Sequence, residues 1–144
     1  MKAAGCPLCE AVGGELVFAH DRYRVVRADE PGFPGFYRVV WTDHVAEFSD
    51  LDAADRALCM EAVACTERVL RQELGPAKIN LAALGNMVAH LHWHVIARFE
   101  WDSHFPGAVW AEARRPADPA RLDELAGRIR GVDQAVKAAF RTAP

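Results

Sequence analysis

His90, Leu91, His92, Trp93 and His94 place three of the chain's six histidines at every second position. Strand side chains alternate between faces, so His90, His92 and His94 share one face while Leu91, Trp93 and Val95 take the other. One face carries chemistry and the other joins a core. Neighbouring rings would stand about 7 Å apart, close enough to flank one phosphate-sized group. Imidazoles that are neutral near pH 7 offer a nucleophile, a proton donor and an orienting hydrogen bond. Burying three of them without function would leave many donors and acceptors to satisfy. A metal-only reading, with all three as zinc ligands around an activated water, fits less well. The outer pair would be about 13 Å apart, too far to converge on one tetrahedral ion.

Cys6-Pro7-Leu8-Cys9 is the second constellation. A C-x-x-C turn chelates zinc, or serves as a redox pair at a helix start in thioredoxin-like βαβ units. No such unit follows; Gly13-Gly14 and a strand do, which suits a zinc turn. Reduced cysteines without metal are the plainer alternative. Cys59 and Cys65 fall on a helical pattern and read as small core residues.

The elements that must position these groups follow from periodicity and punctuation. Glu15 to His20 and Tyr23 to Arg27 form a hairpin pattern around Asp21-Arg22, and a Pro31 to Gly35 loop precedes a strand from Tyr37 to Thr42. Ser49 or Asp50 is placed to cap a helix from about Asp52 to Leu74, with Leu51, Leu58, Ala62, Cys65 and Val69 on one stripe and Gly75-Pro76 as its stop. Strands Lys78 to Ala82 and His90 to Arg98 follow. Asp118-Pro119 opens a last helix, 118–141, whose Leu122, Leu125, Ile129, Val132, Val136 and Phe140 recur at three and four residues. Runs of strands with two main helices make an α+β domain with an antiparallel sheet. Asp102-Ser103-His104-Phe105-Pro106 reads as a solvated loop.

At the triad the chain resembles the histidine triad (HIT) family, whose signature is His-φ-His-φ-His-φ-φ with φ apolar. Here it is His90-Leu91-His92-Trp93-His94-Val95-Ile96, with every φ position filled. The resemblance runs from Cys6 to about Trp110 through Gly35-Phe36-Tyr37-Arg38-Val39-Val40, His44, Asn80, Gly85-Asn86-Met87-Val88 and Gly107-Ala108-Val109-Trp110. It implies one HIT domain over 1–144, with its motif-bearing core at 6–110. It implies that His92 attacks the α-phosphate of a purine nucleotide conjugate and forms a nucleotidyl-histidine that water hydrolyses. His94 would contact the scissile bridge and protonate the leaving group, and its retention, where the transferase branch has glutamine, looks like a hydrolase. His90 completes the catalytic set. The nucleotide would be bound by Asp29, Asn80, Asn86, Met87, His92 and His94. Some bacterial members carry a structural zinc on the C-x-x-C motif plus two histidines, here Cys6, Cys9, His44 and His90, anchoring the N-terminus to the catalytic strand. A symmetric homodimer is also implied, and Trp101, Phe105 and Trp110 are aromatic positions that could complete the pocket in trans.

The sequence departs from the family where many members carry Gly-His and this chain has Gly35-Phe36. Trp41 stands where a proline is usual, Ala28 with Asp29 beside it where an acidic ribose ligand is common, and Met87 where a Ser or Thr often lies. These departures motivate a second function class, a nucleotide-binding sensor with weak turnover. Dinucleoside polyphosphate, nucleotide phosphoramidate and nucleotide sugar are all compatible as substrate.

Bulk properties agree with a small cytoplasmic enzyme. With 144 residues and a net charge of −3, acids and bases interspersed, the chain offers neither a basic nucleic-acid groove nor an anionic-membrane patch. No signal-peptide pattern and no apolar run near ~18 residues suggests export or membrane spanning.

Overall fold

Hydrophobic alternation and helical periodicity resolve into a five-stranded antiparallel sheet covered on one face by two long helices in the computed structural model. The structure describes residues 1–142; Ala143 and Pro144, the end of the expected 1–144 domain, lie outside it. The elements are α1 (Pro7–Glu10), β1 (Glu15–Ala19), β2 (Tyr23–Arg27), β3 (Phe36–Trp41), α2 (Ala53–Leu74), β4 (Lys78–Ala82), β5 (His92–Arg98) and α3 (Pro119–Thr142). Spatial order across the sheet is β1-β2-β3-β5-β4, so the histidine-bearing strand is flanked on both sides and held in register. Val40 lies opposite His92, Arg38 opposite His94 and Phe36 opposite Ile96. On the other side of β5, Ala82 lies opposite His94 and Asn80 opposite Ile96.

Strand alternation then sorts the two faces. Tyr37, Val39 and Trp41 of β3 and Val95 and Ala97 of β5 enter the main core with Val63, Val69 and Leu70 of α2 and Ile129, Val132 and Val136 of α3. Each such fully buried aliphatic side chain contributes about 1.5–3 kcal/mol relative to exposure. Cys59 and Cys65 are buried in the same core, as their helical spacing implies. Gly35 lets α2 close on the sheet: a Cβ there would lie 2.9 Å from Ala97 Cβ and 3.1 Å from Leu74 Cδ1. The opposite face carries Phe36, Arg38, Val40, His92, His94, Ile96 and Arg98.

Helix α2 differs from expectation at its start. Its cap is Asp52, whose side chain accepts from the Asp55 N–H at 2.8 Å. Ser49 and Asp50 sit instead in a preceding 3-10 turn, where Asp50 accepts from the Glu47 N–H at 3.0 Å. The competing local hydrogen bond takes Asp50 out of the helix, and the next acceptor, three residues before Asp55, becomes the cap. Leu58 is half-buried and Cys59 fully so, which sets the apolar stripe slightly off the expected line. Gly75 at φ 56° ends the helix in the left-handed conformation that favours glycine. In α3, Leu125, Ile129, Val132, Val136 and Phe140 are buried as their spacing implies.

Among the described residues, no helix is long and apolar enough to cross a membrane.

Candidate active site and metal centre

The three alternating histidines divide into a pair and a single. β5 begins at His92, and a turn closed by the His90 N–H donating to Val88 O precedes it, so His90 lies just outside the ladder, although Leu91 still enters the main core and the His90 ring still meets the cysteine turn packed on the Val26 and Val40 face. His92 and His94 keep the shared face, their ring centroids 4.9 Å apart and nearly perpendicular. The third ring is engaged by the N-terminal turn instead of by the pair. His90, 0% exposed, donates from Nε2 to Trp41 O at 2.7 Å and turns Nδ1 toward the N-terminal turn.

What His90 gives the pair is its backbone carbonyl. That oxygen can only accept, and it lies 2.6 Å from His92 Nδ1, so Nδ1 carries the proton and the lone pair is on Nε2. Burial pushes the His92 pKa down, opposed by the carbonyl contact and reinforced by the nearby Arg38 charge. His94 is pushed down further, to about 3, by burial first and then by His92 and Arg38. Both rings are therefore neutral at pH 7. His94 has its edge against Phe36 at 5.4 Å and Trp110 at 5.0 Å, and Arg38 Nε lies 3.4 Å from its Nδ1. Beside His92 a cleft of about 210 Å³ opens between Glu47 and Phe48 on one side and Leu84 and Gly85 on the other.

The expected nucleotide-binding residues are not all drawn together. Asn86 and Met87 lie exposed in the loop between β4 and β5, with Met87 98% exposed. Asn80 shares the His94 face, but its Oδ1 accepts from Arg98 Nη1 at 2.8 Å, so it belongs to a neighbouring network. Asp29 is exposed just beyond β2, while Ala28 is buried against Phe36 and Ile96.

Asp102 overturns the reading of 102–106 as a solvated loop. The Arg98 and Asp102 side chains are 1% and 2% exposed and paired at 2.9 Å. Arg98 also donates to Gly107 O, and Asp102 accepts from the backbone N–H groups of Phe99, His104 and Phe105. A single carboxylate thus organises the segment that returns Trp110 to His94. Burial alone would raise the Asp102 pKa, yet hydrogen bonds from Arg98, Phe99 and His104 hold it below the ordinary carboxylate value. Sequence reasoning passed over this pair and over Arg38. The signal for Arg38 and Arg98 was a charge on the same strand face as His92 and His94, which alternation on β3 and β5 makes visible; Asp102, beyond β5, had none.

On the other side of His90, the potential ligand atoms of Cys6, Cys9, His44 and His90 all lie within 4.8 Å of one another. His90 Nδ1 is 3.4 Å from both Cys6 Sγ and Cys9 Sγ, and His44 Nδ1 is 3.5 Å from Cys9 Sγ. A tetrahedral zinc with Zn–S near 2.3 Å and Zn–N near 2.05 Å has S···N edges of about 3.6 Å, so the spacing fits the ion. The donor chemistry fits too, because the Nε2–H bond to Trp41 leaves His90 Nδ1 with a free lone pair. Among the described residues this is the one such cluster, and it takes in neither His92 nor His94.

The HIT domain profile matches residues 12–101. The chain belongs to the HIT family. Family membership carries a general chemistry of nucleotide binding with hydrolase or transferase activity. Solved structures agree. A histidine triad protein from Bradyrhizobium japonicum is 26% identical with a TM-score of 0.69, covering 85% of this chain and 91% of that one. A HIT protein from Sinorhizobium meliloti is 28% identical with a TM-score of 0.66, covering 83% and 90%. A zinc-bound HIT family protein from Mycobacterium smegmatis shares the fold at 18% identity and a TM-score of 0.59, covering 91% and 97%. No curated protein sequence matches the chain.

Proposed function

We propose that this HIT protein hydrolyses purine nucleotide conjugates at the α-phosphate through a covalent nucleotidyl-His92 intermediate. The observation that carries this reading is the 2.6 Å contact of His92 Nδ1 with the His90 carbonyl, which leaves Nε2 as the free nucleophilic nitrogen on the exposed side of the sheet. In the first step the Nε2 lone pair forms a P–N bond as the bridging P–O bond breaks, and the leaving group takes the bonding pair. The positive charge that develops on the ring is shared through Nδ1–H with the carbonyl. In the second step water attacks phosphorus, the P–N pair returns to Nε2, and a proton passes to solvent, releasing the nucleoside monophosphate. His94 lies beside the nucleophile, where the bridge would sit, and Trp110 and Phe36 shield it from water. Asn86 and Met87 lie in the exposed loop that follows Leu84 and Gly85 of the cleft wall, and Asp29 at the sheet rim, positions open to a nucleotide; Asn80 is held by Arg98.

Cys6, Cys9, His44 and His90 are the residues that would hold a structural zinc, and the zinc of the Mycobacterium smegmatis HIT protein is in keeping with that. Bound there, the ion would cross-link the N-terminal turn to the segment that leads into β5. The working form is a cytoplasmic homodimer, with the edge strand β4, its half-exposed Leu81 and the half-exposed Leu84 just beyond it available for pairing.

The experiment is a single-turnover trap with an α-phosphate-labelled adenosine dinucleotide. Wild-type protein quenched in alkaline denaturant, in which a P–N bond to histidine survives, retains label, and His92→Ala retains none while keeping its circular dichroism spectrum. Label held equally by His92→Ala would reject the nucleophile.

A further inference from the structure

Arg38 is a charge on the sheet face beside the pair to which the reading so far gives no role. It sits on β3 directly opposite His94 in the ladder, and its Nε–H points at His94 Nδ1 across 3.4 Å. Its guanidinium is half-buried, with the carbon 5.3 Å from the Phe36 ring centroid, and Nη1 donates to Gly13 O at 3.4 Å. The side chain is therefore clamped from three directions. Glu30 is the acidic group that acts on it, and no carboxylate acts on His94 itself.

The clamp decides where the proton of His94 resides. A guanidinium donates and never accepts, so a proton on Nδ1 would meet Nε–H head on, next to a positive charge. The neutral ring must carry its hydrogen on Nε2. The contact is long for a hydrogen bond, but such contacts tighten once substrate is bound. In this tautomer Nε2–H can donate a hydrogen bond to a bridging oxygen. Handing over that proton outright would leave an imidazolate, and gaining a second would force the Nδ1 clash.

We propose that Arg38 is a positioning and specificity-determining residue that fixes His94 as the Nε2–H donor and so restricts the site to leaving groups that depart as anions, the polyphosphate anhydrides. This rests on the nucleotide-hydrolase reading above and deepens it. When the P–O bond of an anhydride breaks, the bonding pair stays on a phosphate oxygen that is stable without a proton. One hydrogen bond from His94 and the nearby Arg38 charge stabilise it. When the P–N bond of a phosphoramidate breaks, the departing nitrogen must first be protonated, and the clamped ring has no proton to give.

The test compares diadenosine tetraphosphate with adenosine 5′-phosphoramidate for the wild type, Arg38→Lys and Arg38→Met, alongside 15N-resolved NMR of His94. The wild type should favour the anhydride, with His94 protonated at Nε2 alone. In Arg38→Met the kcat/KM for the anhydride should fall about ten- to hundredfold, the equivalent of a lost charge-assisted hydrogen bond. Turnover of the phosphoramidate should fall less or rise, and both nitrogens of His94 should share the proton. Arg38→Lys, which keeps the charge but not the fork, should recover the anhydride rate only in part. A substrate ratio unchanged in Arg38→Met, or Nδ1–H on His94 in the wild type, would overturn the proposal. If the wild type turns over neither compound, the hydrolase reading and the leaving-group preference fall together, and the NMR tautomer alone decides whether Arg38 clamps His94.

Discussion

Asp102→Ala is expected to be the most destabilising single truncation outside the main core. The wild-type carboxylate accepts two hydrogen bonds from Arg98, at 2.9 and 3.1 Å, and three more from backbone N–H groups. Truncation leaves a guanidinium that is 1% exposed with no counter-charge among these contacts, plus three donors to re-satisfy. Stranding one member of a buried ion pair costs about 3–5 kcal/mol. A chain of 144 residues has roughly 7–22 kcal/mol in total, so the variant folds but at a reduced midpoint. At about 4 °C per kcal/mol for this length, thermal unfolding should move down by about 12–20 °C. The double variant Arg98→Met/Asp102→Leu removes both charges and should recover most of that loss, because the pair's desolvation cost disappears with it. Circular dichroism melts of the wild type and the variants measure this. A fall below about 4 °C in Asp102→Ala, or a double variant no better than the single, would refute the account of a buried clasp. The carboxyl pKa is depressed in the fold, so the pair's stabilisation is present above the unfolded value of about 3.9 and is lost as pH falls through the folded value.

Three further outcomes are expected. His94 has a folded pKa of about 3, below the unfolded value near 6.5, so its environment leaves stability untouched above pH 6.5 and costs about 1.4 kcal/mol per pH unit below it; His94→Gln should remove about one proton's worth of slope from a plot of stability against pH between 6 and 4, and an unchanged slope counts against the buried neutral ring. Zinc should copurify in about one equivalent per chain and be lost in Cys6→Ser and Cys9→Ser, with chelation lowering the melting temperature of the wild type alone; elemental analysis finding no zinc in chelator-free protein would remove the metal centre. Light scattering should report a dimer at micromolar concentration, and a fully active monomer would dismiss any role for a second copy.

The sheet, both long helices and the core were legible because their signal is periodic. β2 and β4 have the expected bounds, and β1 and β3 are within a residue, since alternation and flanking turn residues both mark the ends. The placement of His90 was legible only in part. Its ring was assigned to both the triad and the metal set, and strand alternation, which gives the face, is silent on which partner the ring takes. What decides the matter is the turn at Val88–His90, a tertiary feature set by the Trp41 carbonyl and the Cys6–Cys9 turn, which no local pattern encodes. Asp102 was misread for a related reason. A polar pentapeptide after a strand ordinarily meets solvent, and nothing in 102–106 announces that Arg98, four residues earlier on the histidine-bearing face, is buried as its partner.

His90 joins the two sites through one residue. Its side chain ends in the Cys6, Cys9 and His44 cluster, and its carbonyl sets the tautomer of His92. The orientation of that carbonyl depends on where the ring is held, because both hang from the His90 Cα, whose backbone is otherwise restrained by the Val88 turn and by the Leu91 N–H donating to Val45 O. Fixing the ring at both nitrogens, with Trp41 on one side and the cysteine turn on the other, therefore fixes the hydrogen-bond acceptor of the nucleophile. The pattern His-φ-His then has a physical reading different from three equal imidazoles on one face. The first histidine is an anchor that lends the second a backbone oxygen, and the third, gripped by Arg38 rather than by another histidine at position 36, offers a single directed hydrogen to whatever leaves.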